Sequence, residues 1–199
     1  GQVCVAGSRL LVEKSIHADF TARLVAITEA MTLGDPLDLA TEAGAVSSEV
    51  QLLKDMAFIE DAARAGARLR TGGKRLFQET GGYFLQPTIF DGVSPDMRIA
   101  REEVFGPVLS VIPFEDEAEA VRIANGTDYG LASAVWTGNL SRAHRMVRQV
   151  KAGVVHVNTY GGSDNTVPLG GMRQSGNGHD KSLHALDKYT ELKTAWIQL

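Results

Sequence analysis

Val108-Leu109-Ser110-Val111-Ile112-Pro113-Phe114 is an apolar run that leads, after Glu115 and Asp116, into Glu117-Ala118-Glu119-Ala120-Val121-Arg122-Ile123-Ala124. The first segment reads as a strand. The second, over 116–124, reads as a helix that opens with acidic residues, which suits the positive end of the helix dipole. The alternation continues downstream. Residues 131–137 read as a strand, 141–150 as a helix and 154–157 as a strand. Strand, helix and strand joined by such short loops imply right-handed crossovers and parallel pairing. The expected fold class is therefore α/β, with a mainly parallel open sheet flanked by helices.

Upstream, residues 3–12 form a short apolar segment leading into a helix. Ser15 is the expected N-cap. Ile16, Phe20, Leu24, Ile27 and Met31 recur at helical spacing and form its expected inner stripe. The turn at Leu33-Gly34-Asp35-Pro36-Leu37 ends that helix. Ser47 or Ser48 caps a second helix, with Val50, Leu53, Met56, Ala57 and Ala63 expected inside and an end near Gly66. A short strand over 67–70 follows, then a turn at Thr71-Gly72-Gly73 and an extended stretch over 84–90, interrupted by Pro87.

Composition narrows the class of protein. The chain has 199 residues, 44% of them hydrophobic, enough for one good core. Its 20 basic and 24 acidic residues give a net charge of −4 with no basic stripe, so no nucleic acid or membrane partner is expected. A single cysteine excludes a disulfide framework and a cysteine-based zinc site, and a reducing, cytoplasmic compartment fits. The five histidines show no metal-ligand spacing, so no metal is expected. Arg68-Leu69-Arg70-Thr71-Gly72-Gly73-Lys74 lacks the first glycine of a P-loop, and Arg75 stands where the loop needs Ser or Thr.

The one cysteine lies in Gly1-Gln2-Val3-Cys4-Val5-Ala6-Gly7-Ser8-Arg9. A lone cysteine is ordinarily a small buried hydrophobe. Here Ala6, Gly7 and Ser8 follow the thiol and leave a planar electrophile room to approach. The segment resembles the nucleophile segment of the NAD(P)-dependent aldehyde dehydrogenases. The resemblance returns further along. Glu103-Val104-Phe105-Gly106-Pro107 resembles that family's Glu-x-Phe-Gly-Pro motif. The Asn125, Tyr129-Gly130-Leu131-Ala132 segment is similar to the family's entry into a central strand. Pro168-Leu169-Gly170-Gly171-Met172-Arg173-Gln174-Ser175-Gly176 is similar to its Pro-Phe-Gly-Gly-x-Lys-x-Ser-Gly loop.

The resemblance implies roles. Cys4 is the catalytic nucleophile, passing through a thiohemiacetal and a thioester. Glu103 accepts hydrogen bonds from the nicotinamide ribose hydroxyls, Phe105 packs beside them, and Gln51 and Lys54 touch the same ribose. The cofactor is NAD or NADP, and the partners are a small aldehyde and further copies of the chain, as a dimer or tetramer. Tyr160 and Asp164, in Thr159-Tyr160-Gly161-Gly162-Ser163-Asp164, correspond to the substrate tunnel mouth. Leu169 replaces an aromatic that lines the tunnel in relatives, Arg173 replaces a lysine, and His156 stands where an aromatic is common.

The end, from Ser175 to Leu186, looks most like the bacterial branch that oxidises γ-glutamyl-γ-aminobutyraldehyde and related amino-aldehydes. Residues 1–188 are expected to be the catalytic-domain half of a longer enzyme, because Cys4 sits three residues from the first. Residues 189–199 are expected to be a tail with an oligomerisation strand, carried by Lys193-Thr194-Ala195-Trp196-Ile197-Gln198-Leu199. The family's general base, oxyanion asparagine and nucleotide-binding domain would precede Cys4. That leaves an alternative for the chain alone, a folded module that self-associates without turnover.

Overall fold

A computed structural model describes residues 1–162 and 164–199, and Ser163 lies outside the described residues. The chain divides into two compact units, Gly1–Thr127 and Asp128–Leu199.

In chain order, the first unit contains β1 (Arg9–Glu13), α1 (Lys14–Glu29), α2 (Glu49–Arg64), β2 (Arg68–Thr71), β3 (Arg75–Leu76), β4 (Phe84–Leu85), β5 (Thr88–Asp91), α3 (Arg98–Arg101), β6 (Val108–Phe114) and α4 (Glu117–Ala124). Its main sheet has the strand order β1-β6-β5-β2. Strand β6 is the centre. It pairs in parallel with β1, Arg9 opposite Ser110, and in parallel with β5, Thr88 opposite Val108. Only β2 runs antiparallel, against β5. A strand covered on both faces needs apolar residues at successive positions, and Val108, Val111 and Ile112 are all buried.

Successive side chains of a strand point to opposite faces. Phe90 and Ile112 join a core with Leu52, Phe58, Ile59 and Ala62, all from α2. Ile89 and Val111 join Val12 on the other side, where Leu24 and Val25 of α1 pack. Each helix thus covers one face of the sheet. Burying a side chain of this size contributes about 1.5–3 kcal/mol.

The helix phases differ from the sequence expectation. α1 leaves β1 with no intervening loop, its N-cap is Glu13, and Ser15 lies inside it without capping. The exit of the strand therefore fixes which face turns inward. Thr21 is buried, whereas Ile16 and Ile27 of the expected stripe are 54% and 67% exposed. In α2, Ser48 is the cap and accepts from the Gln51 N–H. The inner face is Leu52, Asp55, Phe58, Ile59 and Ala62, while Val50, Leu53, Ala57 and Ala63 are exposed and Met56 packs partly against the core. The apolar residues of α2 allow two overlapping stripes. The one with Phe58 wins, because it buries the largest side chain at the cost of also burying Asp55.

The second unit contains β7 (Ala132–Val135), α5 (Leu140–Gln149), β8 (Val154–Val157), β9 (Leu169–Gly170) and β10 (His179–Asp180). β7 and β8 are parallel with α5 as the crossover, as the alternation predicts. β7 does not join the sheet of β6, so the expected crossover through α4 connects two separate sheets. Asn139 caps α5 by accepting from the Arg142 N–H. β9 and β10 form a small antiparallel pair. Residues 190–199 form no strand in this single chain and are all exposed, with Trp196 at 92%.

Candidate active site

Parallel pairing of β1 and β6 brings the loops before them to one end of the sheet. The loop before β1 carries Cys4, and the loop before β6 carries Glu103 and Phe105. The thiol loop is turned by a hydrogen bond from the Ala6 N–H to the Val3 carbonyl at 2.7 Å. Cys4 is a free, exposed thiol on that turn. The Gln2 amide ties the loop to the approach of α2. It donates to Ser47 Oγ at 2.9 Å and accepts from the Ser47 N–H at 3.0 Å.

The second loop is held more tightly. Val104 is buried, and its carbonyl accepts from Gln51 Nε2 at 2.9 Å. Phe105 has φ +62, a left-handed conformation that is unusual for a bulky residue and persists only where its surroundings enforce it. Gly106 follows for a steric reason. A Cβ there would come within 2.1 Å of the Asp55 carboxylate. Glu103 is exposed and makes no hydrogen bond or ion pair among the described residues. Val3, Ala6, Gly7 and Ser8 from one loop and Glu103 and Phe105 from the other line a shared hollow. An unpaired carboxylate at such a rim fits a ribose, since it accepts two hydroxyl hydrogens at once.

Gln51 and Lys54 behave differently, although they are three apart on one helix. The Gln51 amide is engaged inside the protein, donating to Asp55 Oδ1 at 2.7 Å as well as to Val104. Lys54 is exposed, with its ammonium 5.8 Å from the Phe58 ring centre. Asp55 and the Gln2–Ser47 pair were not legible as site residues in the sequence. The available signal was an acidic residue inside an apolar helical face. Burial pushes the Asp55 carboxyl above its ordinary range, against the opposing pull of Gln51 and Lys54.

In the second unit, Tyr160 stacks on Trp136, ring centres 6.5 Å apart and 19° between planes, with His156 at 5.6 Å. Desolvation raises the Tyr160 hydroxyl above its usual value. Asn158 sets the backbone just before it, accepting from the Thr137 N–H and donating to the Thr137 carbonyl. Asp164 is exposed and shapes its own turn. Its Oδ1 accepts from the Thr166 N–H and hydroxyl, both at 2.8 Å, and these bonds hold the carboxyl below its ordinary range. Leu169 is half-buried in β9, opposite Asp180. Among the described residues no group of His, Cys, Asp and Glu could hold a metal ion, and no helix is long and apolar enough to cross a membrane.

The parallel α/β sheet thus brings the loop of an exposed thiol and the loop of an exposed carboxylate to one end. The model of the aldehyde dehydrogenase family matches residues 1–195, and the chain belongs to that family. It is 48% identical over 198 residues to a betaine aldehyde dehydrogenase of Rhizobium etli, covering 99% of this chain and 41% of that protein. It is 49% identical over 199 residues to the NADP/NAD-dependent aldehyde dehydrogenase PuuC of Escherichia coli, covering 39% of that protein. Among solved structures, a P. syringae indole-3-acetaldehyde dehydrogenase in complex with NAD+ and IAA matches all of this chain with TM-score 0.95 and 55% identity, over 40% of its own length. The aldehyde dehydrogenase KauB from Pseudomonas aeruginosa matches with TM-score 0.95 and 57% identity, also over 40% of its length. The chain thus spans about two-fifths of the length of the relatives it matches.

Proposed function

We propose that this chain is the catalytic-domain part of a cytoplasmic aldehyde dehydrogenase that oxidises an aldehyde to a carboxylic acid with NAD(P)+. The observation that carries the reading is the exposed Cys4 on a tight turn, beside a hollow rimmed by the unpaired Glu103. The Cys4 thiolate attacks the aldehyde carbon and forms a C–S bond, and the former carbonyl oxygen becomes an oxyanion. The Cys4 backbone N–H is the donor this chain offers to that oxygen. Oxidation of the adduct to a thioester needs a two-electron acceptor, which is the chemistry the nicotinamide supplies when bound. Water then cleaves the thioester, releasing the acid and restoring the thiol. Glu103 and Phe105 hold the nicotinamide ribose, and Lys54 offers a cation to the same ligand.

The substrate reading is an aldehyde carrying an amino, ammonium or amide group. It rests on the resemblance of residues 175–186 to the γ-glutamyl-γ-aminobutyraldehyde branch and on relatives named for betaine aldehyde. Tyr160, Asp164 and Leu169 are the proposed substrate contacts. The 199-residue chain taken alone is expected to turn over no aldehyde, and its exposed tail is the proposed self-association strand.

The test is Cys4→Ala in the full-length protein. Aldehyde oxidation should fall to background while the NAD+ dissociation constant stays within about twofold, because the thiol adds little to dinucleotide binding. Retained turnover would remove Cys4 as nucleophile.

A further inference from the structure

Asp55 is the one acidic residue on the inner face of α2, and it is 0% exposed. Its Oδ1 accepts from Gln51, while its Oδ2 has no hydrogen-bond partner and lies against Gly106. A buried carboxyl with an unpaired oxygen is costly, and an apolar residue of similar volume serves stability better. The helix therefore keeps Asp55 at a cost that core packing does not explain.

The geometry points to a role. The Gln51 amide has two N–H bonds. Asp55 takes one at 2.7 Å, and that fixes the plane of the amide so that the other meets the Val104 carbonyl at 2.9 Å. The next residue is Phe105, in its left-handed conformation, and then Gly106, pressed against the Asp55 carboxylate. Just ahead of the helix and its Ser48 cap, Ser47 grips Gln2 in the thiol loop. Ser47 before α2, with Gln51 and Asp55 on it, thus holds both walls of the hollow.

We infer that Asp55 is a positioning residue for cofactor binding: it orients the Gln51 amide and, through Val104, presents Glu103 and Phe105 to the nicotinamide ribose. Gln51 then acts on the loop through its two side-chain N–H groups. The inference rests on the proposed dehydrogenase function.

The test uses the full-length protein, with NAD+ affinity measured by calorimetry and loop mobility by amide exchange without nucleotide. Asp55→Leu removes the acceptor. It should weaken NAD+ binding about tenfold, the scale of one lost charge-assisted hydrogen bond, and speed by at least as much the exchange of the Val108 amide, which donates to the Gly106 carbonyl at 2.8 Å. Asp55→Asn keeps an acceptor oxygen for Gln51 and should restore both readouts to within about threefold. If Asp55→Leu fails to fold, the smaller Asp55→Ala carries the same expectation. The double variant Gln51→Met/Asp55→Leu should bind NAD+ no more weakly than Gln51→Met alone, because Asp55 acts through Gln51. Wild-type affinity and unchanged Val108 exchange in Asp55→Leu would overturn the inference, and so would additive losses in the double variant. Failure of the wild-type protein itself to bind NAD+ would overturn the dehydrogenase function, and the inference with it.

Discussion

Gln2 and Ser47 exchange two hydrogen bonds in opposite directions, side chain to side chain at 2.9 Å and backbone N–H to side chain at 3.0 Å. They stand 45 positions apart in the chain, so this pair anchors the loop of the only cysteine to the approach of α2. Both residues contact water, so each bond contributes about 1 kcal/mol or less. Gln2→Leu should therefore leave the unfolding midpoint of the full-length protein nearly unchanged. Its kcat should fall roughly ten- to a hundredfold, because misplacing a reacting group by about 1 Å costs that much. Ser47→Ala keeps the backbone bond and should lose less. Steady-state kinetics at saturating NAD+ check the order, and a larger loss in Ser47→Ala would contradict it.

Asp91 should make the first unit sensitive to acid. It is buried at the end of β5, where Oδ2 meets Arg68 at 2.9 Å and Arg70 at 3.1 Å and Oδ1 accepts from the Gly92 N–H at 2.7 Å. His17 of α1 lies 2.9 Å from Oδ1 as an ion-pair contact without hydrogen-bond geometry. Burial alone would raise this carboxyl, but Gly92, His17, Arg70 and Arg68 together hold it below its ordinary range. A depressed carboxyl adds stability that is full above the unfolded value, about 4, and is lost as pH falls through the lower folded value. Amide protection in β2 and β5, corrected for intrinsic exchange, should decline below about pH 4 in the wild-type protein. Asp91→Asn should have lower protection at neutral pH, by about 1–3 kcal/mol given that Arg68 is largely in water, and should lack that acid step. A step retained in Asp91→Asn would assign it to another group.

The tail is expected to need a partner. Thr194, Trp196 and Gln198 alternate with Ala195, Ile197 and Leu199, so a strand here would carry apolar groups on both faces. In the single chain these residues form no strand, and Trp196 and Ile197 are exposed. A large aromatic of this kind buries about 150–250 Å² when covered. Deleting residues 193–199 from the full-length protein should lower the mass seen by light scattering before circular dichroism shows lost secondary structure. An unchanged mass would mean that the tail packs on its own subunit.

The elements that the sequence shows clearly are those whose signals are local. The run Val108–Phe114 is apolar at every position but Ser110, and Asp116 can cap only the helix that begins beside it, so strand β6 and helix α4 follow from neighbours alone. Cys4 and Glu103-Val104-Phe105-Gly106-Pro107 stood out as candidates because each lies in a short contiguous motif that resembles one of the family's. Helix phase was not visible. Ile16 and Val50 look as suitable for burial as Leu24 and Leu52, and only the sheet beneath each helix selects between them. The break between β6 and β7 was hidden for the same reason, since alternation reports the order of elements and not the sheet each strand joins. The sequence by itself determined the longer helices, the strands beside them and the chemical groups the loops carry, while the short elements such as α3, β3, β9 and β10 left no local signal. Tertiary structure alone decided that Asp55 faces Gly106 and that Ser47 meets Gln2. Gln2 and Ser47 are 45 positions apart, and the neighbouring Gln51–Val104 bond spans 53; contact at such separations is set by packing and not by any local preference of the chain.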